Sequence, residues 1–184
     1  CSPIWASAKT GKDDQNVKCL VLRDKEPFDY ARAEKVIPGS HHFKASFDLN
    51  AAQSDFGRLD IEFQNSRGNP AIRLSLMPNG IVCTKAGARL SGAFSYKPEK
   101  IYHFEVLVYQ DTRSYEVYID GKKLRTGIFF APVESFSRIV FRTGEPRLSP
   151  TPETPADRFT DLENTGAIDP EAVYYIYSLK TEAL

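Results

Sequence analysis

Residues 41–49 read HHFKASFDL, and in this stretch Phe43, Ala45, Phe47 and Leu49 alternate with Lys44, Ser46 and Asp48. Side chains on a strand point to opposite faces in turn, so strict period-two alternation describes a strand with one buried and one wet face. The same rhythm returns in VKCLVLR (17–23), GRLDIEFQN (57–65), AIRLSLM (71–77), IVCTKAG (81–87), IYHFEVLVYQ (101–110), SYEVYID (114–120), KKLRTGIFF (122–130), FSRIVFRT (136–143) and AVYYIYSLKT (172–181). Turn-forming residues separate these runs. Asn79-Gly80 and Asp120-Gly121 accept the positive φ of tight hairpins, and Asp111-Thr112-Arg113 marks a third turn. Pro27 and Pro38 bracket residues 31–36 too closely for more than a loop, a short strand or one helical turn. About ten short strands and no long helix define an all-β antiparallel sandwich, expected as one domain over 1–184, with first and last strands adjacent.

Composition removes several function classes. Lys plus Arg equal Asp plus Glu at 24 each, so nothing favours nucleic acid, which needs a basic stripe. No apolar run approaches the ~20 residues of a transmembrane helix. The cysteines, Cys1, Cys19 and Cys83, lack metal-ligand spacing, and neither a metal nor another cofactor is expected. Cys1 fits a trimmed boundary, a lipidated anchor or a bridge to Cys19, and the sequence leaves these open.

The segment YHFEVLVYQDTRSYEVYIDGKKL (102–124) resembles the hairpin of laminin-G-like domains in the concanavalin A-like lectin/glucanase superfamily. The meander over 57–82 and the final strand fit the same jelly roll, and RDKEPFDYARAEKVIP (23–38) is similar to modules of secreted bacterial polysaccharide-degrading proteins. The resemblance implies a concanavalin A-like jelly roll and an extracytoplasmic location: secreted, periplasmic or surface-bound. It also implies a poly- or oligosaccharide partner and a neighbouring catalytic domain.

Asp60 and Glu62 share one face of their strand. Family 16 glycoside hydrolases carry Glu-x-Asp-x-Glu on such a strand, with the outer two acting as nucleophile and acid/base. Here the motif reads Arg58-x-Asp60-x-Glu62, and a guanidinium cannot attack an anomeric carbon. The pair is then either a sugar contact or an ordinary outer-face pair opposite an arginine such as Arg73. Jelly-roll polysaccharide lyases use His, Tyr and Arg on the concave face, for which His103, Tyr118, Arg73 and Arg142 are the candidates. The preferred expectation is a non-catalytic binding or accessory module with Asp60, Glu62, Arg73, His103, Tyr118 and Arg142 in one groove. Trp5, Tyr30, Tyr96 and Tyr174 are candidate stacking aromatics. The alternatives are a hydrolase or lyase on the same face, or a packing module that binds no sugar. The Pro-rich stretch GEPRLSPTPETPAD (144–157) is expected as a long loop or a flap, where Arg142 and Arg147 either contact a sugar carboxylate or tether the loop through groups such as Glu153 and Asp157.

Overall fold

A computed structural model describes residues 6–25, 30–144 and 170–184. Cys1, Trp5 and the Pro-rich stretch from Glu145 onward lie outside the described residues. A seven-stranded sheet runs β1 (Ala6–Lys12), β2 (Lys18–Asp24), β13 (Ala172–Ala183), β4 (His42–Ala51), β9 (Ile101–Tyr109), β10 (Ser114–Ile119) and β11 (Lys122–Ile128). A six-stranded sheet runs β3 (Arg32–Ser40), β12 (Phe136–Thr143), β5 (Leu59–Gln64), β6 (Pro70–Leu76), β7 (Ile81–Ala86) and β8 (Arg89–Ser95). All strand pairs are antiparallel. The fold is the concanavalin A-like jelly-roll sandwich that the alternation and the resemblance implied. Among the described residues no helix is long and apolar enough to cross a membrane.

The 17–23 strand, now β2, pairs with β13 as expected of the chain ends. Two strands, β1 and β8, were not legible, and β3 was legible only as one of three options for residues 31–36. β1 is a run of small and charged residues with little alternation, and β8 is mostly exposed. β3 carries Pro38, which an edge strand tolerates because one row of its N–H groups needs no partner.

The inward rows of the two sheets make the core. Phe43, Phe47, Leu49, Phe104, Val106 and Val108 of one sheet face Leu59, Ile61, Phe63, Leu74, Phe136 and Phe141 of the other. Phe47 sits at the seam. Its ring stacks on Phe104 at 5.3 Å and 5°, and meets Phe141 of the opposite sheet edge-on at 5.3 Å and 90°. Such geometries add to area burial because ring edges are positive and faces negative. Tyr115 lies directly opposite Gly127 of the neighbouring strand β11, where a Cβ on Gly127 would overlap its ring. Only glycine fits there.

Tyr96 and Tyr174 are part of this interior, and Tyr177 is buried in a smaller cluster with Cys19, Val21, Val173 and Tyr175. The Tyr96 hydroxyl donates to the Met77 carbonyl at 2.9 Å, and burial pushes its pKa up to about 12. Burial raises Tyr174 further, and burial with the hydrogen bond to Asp13 raises Tyr177. A raised folded-state pKa means the native chain keeps a proton that the unfolded chain releases near pH ~10. The stabilisation is therefore complete below ~10 and declines as pH climbs toward the folded values. In an alkaline titration, exposed tyrosines should ionise first. The phenolate absorbance of these buried residues should rise only together with loss of the sheet circular-dichroism signal. Smooth ionisation of every tyrosine with the sheet intact would contradict this burial.

Candidate functional site

Inward positions of β5 are Leu59, Ile61 and Phe63, so Asp60, Glu62 and Gln64 take the outward face of the six-stranded sheet. Register then builds rows across that face. Arg142 lies opposite Asp60, which lies opposite Ser75, which lies opposite Cys83. Glu62 lies between Val140 and Arg73. An arginine opposite the pair was expected, with Arg73 as the example, and Arg73 lies opposite Glu62.

These carboxylates are not solvated, which corrects the expectation of an ordinary wet face. Asp60 is 0% exposed and Glu62 6%. Both oxygens of Glu62 are engaged. Oε1 accepts from Arg73 Nε at 2.6 Å and pairs with Nη2 at 2.5 Å, while Oε2 accepts from Gln64 Nε2 at 2.6 Å. Asp60 Oδ1 accepts from Arg58 Nε at 3.0 Å and Ser75 Oγ at 2.5 Å; its buried Oδ2 has no hydrogen-bond partner. Burial pushes the Asp60 carboxyl above its ordinary range, against the opposing pull of Arg58, Ser75 and Arg73. The residue in the would-be nucleophile position, Arg58, is thus a partner of the central acid. The ion pairs form a floor.

Aromatic residues flank that floor. The Arg142 guanidinium lies 4.1 Å from the Tyr30 ring centroid, and Tyr30 is 39% exposed. On the other side, the Phe130 ring carries Arg73 at 5.7 Å and Lys85 at 5.1 Å. The Phe130 N–H donates to the Ala71 carbonyl, which ties this segment to β6. Arg58, Lys85, Phe130, Gln64 and Ser75 were missed as site residues in the sequence. Arg58 was read only as the occupant of the nucleophile position; Gln64, Ser75 and Lys85 have no signal beyond an outward place on β5, β6 and β7, and Phe130 has none because it follows β11 in a connecting segment.

His103 and Tyr118 are not here. Both stand on the outward face of the seven-stranded sheet, on β9 and β10. His103 Nδ1 meets Asp48 Oδ1 at 2.6 Å, and the Tyr118 hydroxyl donates to Glu116 at 2.8 Å, with Lys123 alongside. Stacked sheets lie ~10 Å apart, so the sandwich separates these two from Asp60, Glu62, Arg73 and Arg142. One groove cannot hold all six, and the lyase set is not assembled. Tyr96 and Tyr174, at 5% and 0% exposure, are interior residues rather than stacking platforms; Tyr30 keeps that capacity. Among the described residues no group of three His, Cys, Asp or Glu side chains is placed to hold a metal ion. Cys19 and Cys83 are buried free thiols, each raised mainly by desolvation.

Fold and face together define a lectin-like jelly roll whose charged sheet surface is lined by aromatic side chains. The profile of the family described as "Sialidase-like, CBM domain" matches residues 1–158, and the chain belongs to that family. A solved structure titled "Sialidase" is 42% identical, with a TM-score of 0.85 over 99% of this chain. This chain spans only 16% of that one. An alginate lyase of polysaccharide lyase family 7, AlgAT5, shares the fold at 12% identity and TM-score 0.63, covering 95% of this chain and 82% of its own. Sheep galectin-11 does so at 13% and 0.53, covering 82% and 96%. Among curated proteins nothing matches.

Proposed function

We propose that this chain is a non-catalytic carbohydrate-binding module of an extracytoplasmic glycan-degrading protein. Its binding surface is the outward face of the six-stranded sheet. The observation that carries this reading is the pairing of a fixed polar floor with flanking aromatics. Arg58–Asp60 and Arg73–Glu62 hold each other in place, while Tyr30 and Phe130 offer ring faces for pyranose contact. Family membership supports it, as does the 42% identical sialidase, in which the matched segment is a small part of a longer chain. A neighbouring catalytic domain is the natural partner.

The same geometry argues against hydrolysis on this face. Retaining chemistry needs two carboxyl groups free to act ~5–5.5 Å apart. Here Glu62 is saturated by Arg73 and Gln64, and Asp60 is locked to Arg58 and Ser75.

Affinity gels containing a panel of polysaccharides are expected to retard the protein without release of reducing ends or unsaturated uronates. Replacing Tyr30 with alanine removes the exposed ring under Arg142 and should weaken retardation about tenfold, the effect of losing ~1.4 kcal/mol. Product release by the purified domain would make it an enzyme. Silence in both assays would leave the packing role.

A further inference from the structure

We infer that a second ligand site lies at the open edge of the sandwich, between β2, β13 and β3, and that it takes an apolar carboxylic acid in its anionic form. The strands β2 and β13 part there. Their pairing ends at Ile176–Leu20, although β2 begins at Lys18 and β13 runs on to Ala183. On its other side β13 carries an extra residue, since Tyr177 pairs with Asp48 and Lys180 with Ser46. Ser178, inside this bulge, has a φ of 53°, a left-handed conformation uncommon outside glycine. Bulges end pairing and re-aim side chains, and strained residues of this kind cluster at ligand sites. The parted strands leave a cavity of about 360 Å³. Its walls join two apolar clusters: Phe141 and Ile176 come from the main core, Cys19 and Tyr177 from the smaller one. That volume lies at the small end of the ~300–1,000 Å³ range of small-molecule sites and suits a short chain or a single ring.

Lys35 supplies the polar end. In β3, Ala33 pairs with Phe141 and Lys35 with Ile139, and both partners are core residues. Lys35 therefore stands in the inward row of an edge strand, where it lines the cavity. Its Nζ donates to the Leu179 carbonyl of the opposite sheet at 2.8 Å. An ammonium has further N–H groups to offer a ligand beyond that one bond. Glu34, the adjacent acid, is engaged by Arg32 and Arg138 at 2.7 Å and 3.7 Å, and among the described residues no carboxylate pairs with Lys35. A cation beside apolar walls gains from an anion, because charge pairing strengthens as water is excluded. A carboxylate on an apolar body meets both demands, with its head on Lys35 and its tail along Phe141 and Ile176. An inward lysine on an edge strand also discourages pairing with another chain, and that role alone predicts no ligand.

Isothermal titration with octanoate, octan-1-ol and acetate tests this. Octanoate should bind about tenfold more tightly than octan-1-ol, which has the tail without the charge. Acetate, which has the charge without the tail, should not bind measurably. In Lys35→Met the octanoate advantage should vanish while octan-1-ol binding stays. Methionine keeps an apolar stem, and circular dichroism reports whether the variant folds. In the unaltered protein, octanoate should also slow alkylation of Cys19, which is 5% exposed on the cavity wall, and leave Cys83 of the other sheet unaffected. Peptide mass spectrometry separates the two thiols, and this readout decides the matter even where Lys35→Met fails to fold. Octanoate bound no more tightly than octan-1-ol, an advantage that survives Lys35→Met, or Cys19 alkylation unchanged by saturating octanoate overturns the inference and leaves Lys35 as an edge guard. None of these results bears on the glycan-binding face, which the polysaccharide gels test separately.

Discussion

Arg73→Ala is expected to lower unfolding stability by about 3–5 kcal/mol, far more than removal of a surface charge would cost. The reason lies in what remains. Glu62 is 6% exposed, and its Oε1 receives two nitrogens of Arg73. Without the guanidinium, a carboxylate stays buried with only Gln64 as a donor. Exposed ion pairs contribute ~0–1 kcal/mol because water replaces the partner. The contrast between single and double replacement is sharp. Glu62→Leu with Arg73→Met removes both charges and keeps volume, so most of the loss should be recovered. Chemical denaturation of the three proteins reads this as a midpoint that falls and then returns. A single variant within ~1 kcal/mol of the parent would mean that the pair is effectively solvated.

Phe47→Ala should be comparably damaging, at about 3–5 kcal/mol, for a different reason. The ring is fully buried, stacks on Phe104 within its own sheet and meets Phe141 of the facing sheet. Truncation removes transfer energy and leaves a cavity between layers that strand hydrogen bonds keep from collapsing. Phe47→Leu, which refills part of the space, should cost distinctly less. If alanine and leucine behave alike, the sheets close over the gap, and Phe47 is not the contact that joins them.

The outer face of the six-stranded sheet shows how far local pattern reaches. Alternation in β5 put Asp60 and Glu62 on one side of the strand, opposite an arginine such as Arg73; in the fold Arg73 stands opposite Glu62. The same alternation pointed His103 and Tyr118 outward, correctly, yet toward the wrong surface. Period two separates inside from outside along a single strand. It carries nothing about which of two layers receives the strand, since both layers present the same pattern. The burial of the carboxylates was illegible for a related reason. It arises where arginines from β6 and β12 and aromatics from connecting segments meet, and those contacts span large separations in sequence.

Strand identity, in-versus-out orientation, the hairpin turns and the all-β class are therefore properties of short stretches of this chain, written in residue alternation and in Asn-Gly and Asp-Gly pairs. The order of strands within each sheet, the parting of His103 and Tyr118 from Arg73, and the gathering of Lys85 and Arg73 on Phe130 came only with the folded molecule. The physical cause is that backbone pairing and sheet stacking are non-local. A strand's own sequence sets its pleat, and its neighbours are set by the core that all the strands must close together.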